Sequence, residues 1–295
     1  MAHLRLLMVL RLSNVAARAA GEDIVGGSHL RGSRRPQPGA GIEVLLHTFF
    51  WNVHWECSMA ARGASAACKD KVGRRFVELA TAAEAEVVAS IELEDGIAAP
   101  ASLVDFGLVG WKQVDGPCEL DVYGDAVALA FAPGWEVLKS SGGCLRDDAD
   151  TRAFAVALVR PPMRMRDCPT ICFLAVHAPH QNITHGSDLV FDICGGAVDH
   201  CVVAMGDWNT VGEGVSQHWD ALIGGESPGE PMPDEATCCF PQPMYYGEFD
   251  HLITNVPNAR HAGHTVHAYQ LIEDNPVKQH KAVSATLALP LMPLQ

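Results

Sequence analysis

Polar side chains able to bind a cation or move a proton follow directly after apolar runs in this sequence. Glu92 ends the run 87–91, and His177 ends the run 173–176. A buried carboxylate or amide is costly in free energy unless it is paired or bound to a cation. The residues that share this placement at six strand ends are Asn52, Glu92, His177, Asp207, Asn209, Asp250 and His280. Each alone is an ordinary strand-end residue, but their repetition predicts one shared pocket.

The apolar runs that position these residues predict many short strands and few helices. Strands are predicted over residues 42–53, 87–93, 126–132, 153–159, 170–177, 201–205, 250–254 and 282–289. Helical spacing occurs over 70–88 and again over 187–198. The polar segment 217–235 contains Gly and Pro and is expected to form a surface loop near the pocket. Strands without regular alternation with helices favour one layered sheet domain over 41–290.

The ordered motifs resemble those of the endonuclease/exonuclease/phosphatase superfamily, the deoxyribonuclease I-like proteins. The most specific segment is Gly206-Asp207-Trp208-Asn209 after an apolar strand. The other matching pieces, in family order, are Trp51-Asn52-Val53, a strand ending in Glu92, Val176-His177-Ala178-Pro179, Phe249-Asp250-His251-Leu252-Ile253 and Gln279-His280. The resemblance implies an α/β fold, a four-layer α/β sandwich with two packed, mainly antiparallel sheets.

The resemblance also implies hydrolysis of a phosphoester by water, assisted by a divalent cation, usually Mg²⁺, with Mn²⁺ or Ca²⁺ as alternatives. Glu92 would be the main metal ligand, with Asn52 beside it, because oxygen ligands suit a hard cation. His280 would be the general base that activates the attacking water, and His177 the general acid for the leaving oxygen. An imidazole that titrates near neutral pH suits both proton transfers.

Further positions are matched to substrate binding. By the same resemblance, Asp207 and Asn209 would bind and orient the phosphate and the nucleophile, and Asp250 would support the pocket. Arg152 begins a predicted strand, where it would neutralise a phosphate oxygen or be an ordinary surface arginine. The expected partner is a phosphoester, with DNA, RNA, a lipid and a small phosphoester all left open.

One position departs from the family pattern. The family has Ser-Asp-His before its last strand, whereas this chain has Lys278-Gln279-His280. The missing carboxylate would orient the imidazole; in a serine protease, the exchange of such an Asp for Asn slows turnover about 10⁴-fold. Two hypotheses follow: an active phosphodiesterase or endonuclease, or a catalytically weakened member that binds a phosphorylated ligand or a protein partner. Gln279→Asp is then expected to raise turnover, unless Asp274 already serves His280.

The charge of the chain is unevenly distributed. The 295 residues carry 21 Lys+Arg and 35 Asp+Glu, a formal net charge of −14. Residues 1–40 have six arginines and two acids, so the rest of the chain carries −18. Such a body repels polyanions at long range, which argues against a protein that coats nucleic acid but permits an enzyme that meets phosphate at a metal. No apolar run approaches the roughly 18 residues of a membrane span. A monomer is expected.

Residues 1–40 are predicted to be a basic leader followed by a linker. A short apolar stretch, 6–10, precedes small residues, as in a secretory signal; an Arg-rich organellar transit peptide and an unprocessed leader are the alternatives. The ten cysteines, an even number with close neighbours, predict a disulfide framework in an oxidising compartment. The preferred location is therefore secreted or in the secretory pathway, with an organelle as the alternative.

Overall fold

Eleven strands and three helices are assigned within the described part of the chain. The computed structural model describes residues 43–53, 56, 66–93, 107–119, 125–165, 167–195, 201–225, 231–239, 247–270, 272 and 279–291. The strands are β1 (Glu43–Asn52), β2 (Val87–Leu93), β3 (Lys112–Pro117), β4 (Ala126–Phe131), β5 (Glu136–Arg146), β6 (Thr151–Arg160), β7 (Ile171–His177), β8 (Cys201–Asp207), β9 (Asp250–Thr254), β10 (Arg260–Val266) and β11 (Val283–Pro290). The helices are α1 (Ala66–Ala82), α2 (Ser187–Cys194) and α3 (Glu213–Ile223). The predicted leader and linker lie outside the described residues.

The strands form two sheets that pack face to face. The six-stranded sheet has the order β10-β11-β1-β2-β4-β3, and the five-stranded sheet has the order β5-β6-β7-β8-β9. Neighbouring strands are antiparallel except for the pairs β1–β2 and β7–β8, which are parallel. The mainly antiparallel two-sheet arrangement predicted above is confirmed.

Successive side chains along each strand face opposite sides of its sheet, and this alternation defines the four layers. In β1, Leu46 and Phe50 enter the core between the sheets, whereas Phe49 and Trp51 point to the opposite side, toward α1. Successive side chains of a strand face opposite sides, so a strand that is buried on both sides is apolar throughout. The outer face of the five-stranded sheet is covered by α2 and α3. The layer order is therefore helix, sheet, sheet, helices.

The expectation of a surface loop over 217–235 is wrong in its first part. Helix α3 runs through Ile223, with Val215, Trp219 and Leu222 buried against the five-stranded sheet. These residues recur at intervals of three and four, which is the spacing of a helix that buries one face. The signal was present in the sequence, but the polar residues between these positions obscured it.

Four disulfides join described cysteines, which agrees with the predicted disulfide framework. They are Cys118–Cys144, Cys168–Cys201, Cys172–Cys194 and Cys238–Cys239. No described cysteine is free. Cys118 follows β3 and Cys144 lies in β5, so this bond ties an edge strand of one sheet to an edge strand of the other. Among the described helices, none has the length and apolar character needed to cross a membrane.

Candidate functional site

The register of the strands gathers the predicted residues at one end of the two sheets. The parallel pair β1–β2 sets Asn52 opposite Ile91, next to Glu92. The parallel pair β7–β8 sets His177 opposite Asp207, and β8 and β9 set Asp207 opposite Asp250. These pairings bring together side chains that are far apart in sequence.

A local irregularity aims Glu92 into this cluster. The β2–β4 register shifts between Ser90 and Leu93, and Glu92 has a φ of 56°. Left-handed backbone is unfavourable for a residue with a Cβ and is concentrated at functional sites. The shift also reverses the alternation, because Ile91 faces the core between the sheets while Leu93 faces α1. Glu92 keeps 17% of its side chain exposed.

Asn52 links two carboxylates of the site. Its Nδ2 donates to Glu92 Oε2 and to Asp207 Oδ2, both at 2.8 Å. Toward Glu92 the amide therefore acts as a hydrogen-bond donor. These two hydrogen bonds hold the carboxylates of Glu92 and Asp207 close together. They also mean that the Asn52 amide nitrogen, and not its oxygen, faces the two acids.

His177 is held by a residue that the sequence reasoning missed. Asp125, directly before β4, has Oδ2 at 2.9 Å from His177 Nδ1, and both side chains are buried. The backbone N–H of Ala153 donates to the same oxygen at 2.8 Å. Asp125 precedes an apolar strand just as Asp250 does, so the pattern that singled out Asp250 applied to it as well.

His280 is held in the same way by Asp250. Asp250 Oδ2 lies 2.7 Å from His280 Nδ1, and Trp51 Nε1 donates to the His280 carbonyl oxygen at 3.1 Å. The expectation that Gln279 leaves this imidazole without a carboxylate partner is wrong, because a residue from β9 supplies it. Gln279 instead donates its Nε2 to Glu56 Oε2 at 3.5 Å. Asp274 lies outside the described residues.

Glu56 is a second residue that the sequence reasoning missed. It is 1% exposed, and its Oε2 accepts from the backbone N–H of Ile272 at 3.1 Å. Burial raises the pKa of its carboxyl to about 7, although the Ile272 N–H and the charge of His280 act to lower it. No feature of the sequence around residue 56 indicated a buried acid.

Both imidazoles point their other nitrogen at the same carboxylate. Nε2 of His177 lies 4.0 Å from Asp207 Oδ2, and Nε2 of His280 lies 3.6 Å from it. His177 Nε2 is also 3.9 Å from Glu92 Oε2. The Nδ1 atoms are occupied by Asp125 and Asp250, so it is the Nε2 atoms that face the centre of the cluster.

The carboxylates dominate the electrostatics of the cluster. Burial lowers the pKa of His177, but the charges of Asp125 and Glu92 outweigh it and raise this pKa to about 9. Burial likewise acts to lower the pKa of His280. The charges of its acidic neighbours, of which Asp250 has the largest effect, outweigh burial and raise this pKa to about 9. Burial raises the pKa of Asp250 despite the opposing charge of His280, and that of Asp125 despite the opposing charge of His177. Desolvation and opposite charge thus act against each other in both pairs.

Asn209 and Arg152 occupy different surroundings. The Asn209 backbone, with a φ of 51°, donates its N–H to Asp207 Oδ1 at 2.9 Å, and its Nδ2 donates to the Ala178 carbonyl at 2.7 Å. Asn209 therefore belongs to the cluster. Arg152 Nη1 lies 2.9 Å from Asp150 Oδ1, so its charge faces an acid.

The donor set fits a hard divalent cation. Ligand atoms of Glu92, His177 and Asp207 lie within 4.8 Å of one another, and so do those of Asp207, Asp250 and His280. Together with Asp125, the cluster holds four carboxyl groups and two imidazoles, so acidic groups outnumber basic ones. Such an excess favours a bound cation, and carboxylate oxygens are ligands for Mg²⁺ and Ca²⁺.

Comparisons with solved structures identify the architecture. A Bacteroides vulgatus endonuclease/exonuclease/phosphatase matches with a TM-score of 0.58 and 14% identity, over 83% of this chain and 99% of that chain. The fold is that of the endonuclease/exonuclease/phosphatase proteins. D. rerio TDP2 complexed with a single-strand DNA product matches with a TM-score of 0.55 and 14% identity, over 82% and 98% of the two chains. The human Nocturnin catalytic domain with a bound sulfate anion gives 0.55 and 12%, over 85% and 96%.

Sequence comparison adds nothing to this assignment. No family model and no curated protein sequence matches this chain. The resemblance deduced from the motifs is thus confirmed as a likeness of the endonuclease/exonuclease/phosphatase fold.

Proposed function

We propose that this protein is a divalent-metal-dependent phosphoric ester hydrolase of the phosphodiesterase or endonuclease type. One observation carries the proposal: two imidazoles, each with Nδ1 on a carboxylate, direct Nε2 toward one shared carboxylate, Asp207. Hydrolysis of a phosphodiester needs one group to take a proton from water and another to give one to the leaving oxygen. Two oriented imidazoles on one site meet that need.

The two rings are assigned opposite tasks. His280 is the general base for the attacking water, with Asp250 fixing its ring and stabilising the imidazolium that forms. His177 is the general acid for the leaving oxygen, and the carboxylate of Asp125 favours its protonated form at neutral pH. Asp207 and Asn209 bind and orient the nucleophile and the phosphate.

Glu92 is the proposed cation ligand, because it is the carboxylate of the cluster that keeps some exposure. A bound Mg²⁺, or Mn²⁺ or Ca²⁺, would neutralise phosphate charge and polarise the phosphoryl oxygen. The donor geometry of Asn52 favours a role in holding Glu92 and Asp207 together over the role of co-ligand. We also propose that Arg152 binds a phosphate oxygen, for which the phosphate would compete with the Asp150 carboxylate.

Solved structures with the same fold indicate which substrates to test first. Structures with this fold include one with a single-strand DNA product and one with a sulfate anion, which has the shape of phosphate. A phosphodiester, including nucleic acid, is therefore the first substrate to test. The alternative of a weakened, ligand-binding member depended on Gln279 depriving His280 of a carboxylate, and the Asp250 contact removes that reason to prefer it.

The decisive experiment is a hydrolysis assay with bis(4-nitrophenyl) phosphate, then DNA, RNA and sphingomyelin, with Mg²⁺ or with chelator. Activity is expected only with the cation, and Glu92→Gln should lower it about 100-fold or more. Glu136→Gln is the matched control, because Glu136, at the start of β5, is an exposed acid that pairs with Arg160 at the end of β6. If Glu94→Gln abolishes activity while Glu92→Gln does not, the ligand is two residues away. If neither change matters, the metal site is wrongly assigned.

We further propose that residues 1–40 direct the protein out of the cytoplasm. The support is the basic leader together with four disulfides among the described residues. Non-reducing peptide mapping of protein from its native source should recover these bonds and a mature N-terminus near residue 20. Ten free thiols in freshly isolated protein would place it in a reducing compartment instead.

A further inference from the structure

The Cys238–Cys239 disulfide lies against the proposed general base. Cys238 Sγ is 3.2 Å from Nε2 of His280, the ring nitrogen that does not contact Asp250. Cys238 is fully buried and Cys239 is 7% exposed. A sulfur atom therefore contacts the nitrogen that the proposed function requires to take a proton from water.

Backbone hydrogen bonds hold Cys238 in this position. Its N–H donates to the Gly247 carbonyl at 3.1 Å, and its carbonyl accepts from the Gly247 N–H at 2.9 Å. On the preceding residue, the Thr237 carbonyl accepts from the Lys281 N–H at 2.7 Å, and Thr237 Oγ1 accepts from the Asp250 N–H at 3.0 Å. The segment is thus tied to both elements that carry the His280–Asp250 pair. Its place beside the imidazole does not depend on the disulfide.

The Cys238–Cys239 disulfide does not cross-link distant parts of the chain. The other three described disulfides join residues 22, 26 and 33 apart, whereas Cys238 and Cys239 are adjacent. A disulfide stabilises chiefly by limiting the loops of the unfolded chain, and this effect grows with loop length. A bond between neighbours closes no loop, so stabilisation of the fold does not account for it.

We propose that the Cys238–Cys239 pair is a redox switch that leaves His280 free to act as a base only in the disulfide form. The inference rests on the proposed function of His280. A disulfide sulfur carries no hydrogen, so it cannot donate to Nε2. In the neutral imidazole, the form in which His280 acts as a base, the Nε2 lone pair therefore stays available to water. A thiol is a donor, although a weak one. After reduction, the Cys238 S–H donates to Nε2 and occupies that lone pair.

The chemistry of the switch is thiol–disulfide exchange with a dithiol reductant. The S–S bond accepts two electrons and two protons and becomes two thiols, while the dithiol loses the same electrons and protons and becomes a disulfide. Reoxidation by a disulfide reverses each step. The hydrolytic reaction itself is not altered; only the availability of the base changes.

Substitutions separate the thiol from the loss of the disulfide. Cys239→Ala leaves a permanent thiol on Cys238 and should lower the Mg²⁺-dependent turnover about tenfold, the effect of one hydrogen bond on the base. The double variant Cys238→Ala/Cys239→Ala removes that thiol and should restore the rate. Cys238→Ala is the matched control, since its remaining thiol is on Cys239, not on the sulfur that contacts Nε2. If Cys239→Ala is as active as wild type, or if the double variant is as slow as Cys239→Ala, the switch is refuted.

A second readout does not need activity. In ¹⁵N-histidine spectra without metal, recorded at a pH at which the His280 imidazole is neutral, the Nε2 signal of His280 should differ between Cys239→Ala and the double variant. Under the same conditions the signal of wild-type protein should move toward the Cys239→Ala position when dithiothreitol is added. Peptide mapping confirms that the other disulfides persist. Identical Nε2 signals would overturn the switch even in an active enzyme. An absence of hydrolysis in every variant, together with the expected Nε2 shift, would instead refute the proposed function alone.

Discussion

Asp250 is the residue on which the orientation of His280 depends. Because its carboxylate contacts Nδ1, Asp250→Asn should leave an amide that fixes the ring less well and does not stabilise the imidazolium. Turnover should fall by about 10² to 10⁴, as for the analogous exchange in a serine protease. The KM should change far less than kcat, since the substitution leaves the cluster around Asp207 in place. An equal loss in both parameters would assign Asp250 to substrate binding.

Gln279→Asp is expected to harm the protein rather than improve it. Gln279 is 1% exposed and its side chain faces Glu56, so an aspartate there would bury a second carboxylate beside the first. Like charges in a buried site destabilise the folded state. A lower melting temperature at pH 8 and unchanged or reduced turnover are expected, with Gln279→Asn as the control. A clear rise in kcat would restore the hypothesis that His280 lacks a carboxylate.

At the scale of elements, the bond between β3 and β5 connects stability to the site. The N–H of Cys118 donates to the Asp125 carbonyl at 2.8 Å, and Asp125 orients His177. Cys118→Ser with Cys144→Ser should therefore lower the free energy of unfolding by about 3 kcal/mol, the cost of opening a loop of this size. It should also slow turnover at temperatures where the variant is folded.

The bond Cys168–Cys201 provides the control for this prediction. Its loop of 33 residues is similar to the 26 residues between Cys118 and Cys144, so the loss of stability should be comparable. Cys201 begins β8, at the opposite end of the strand from Asp207. Urea denaturation and kcat measured on both double serine variants test the difference. Equal kcat values in the two folded variants would show that the Cys118–Cys144 bond does not affect the function of His177.

At the scale of the whole molecule, the buried pairs predict how stability depends on pH without metal. His177 and His280 have pKa values of about 9 against an ordinary 6.5, so their stabilisation is complete below pH 6.5 and is lost as the pH rises through 9. The raised pKa of Glu56, about 7 against 4.5, acts in the same direction at lower pH. The free energy of unfolding in chelator should therefore fall between pH 6.5 and 9.

Urea titrations at several pH values measure this slope directly. The double variant Asp250→Asn/His280→Gln removes one of the two pairs and should flatten the slope, whereas His180→Gln, at an exposed ring paired with Asp150, should not. A stability that rises from pH 6.5 to 9 in wild-type protein would show that the imidazoles do not retain their protons in the folded state.

The sequence by itself determined eight of the eleven described strands, but not β3, β5 and β10, and it determined the polar residues at the strand ends. Apolar runs and alternation are local properties, so β2 and β9 were predicted at their observed bounds. Which acid meets which imidazole is not local, because Asp125 and His177 are 52 residues apart and Asp250 and His280 are 30 apart. Only the packing of the two sheets brings them together, because Asp125 and His280 adjoin strands of the six-stranded sheet, whereas their partners lie in the five-stranded sheet. The sequence reading placed the missing carboxylate next to His280 in the chain, whereas the tertiary structure supplies it from β9 in the other sheet, since hydrogen bonds depend on separation in space.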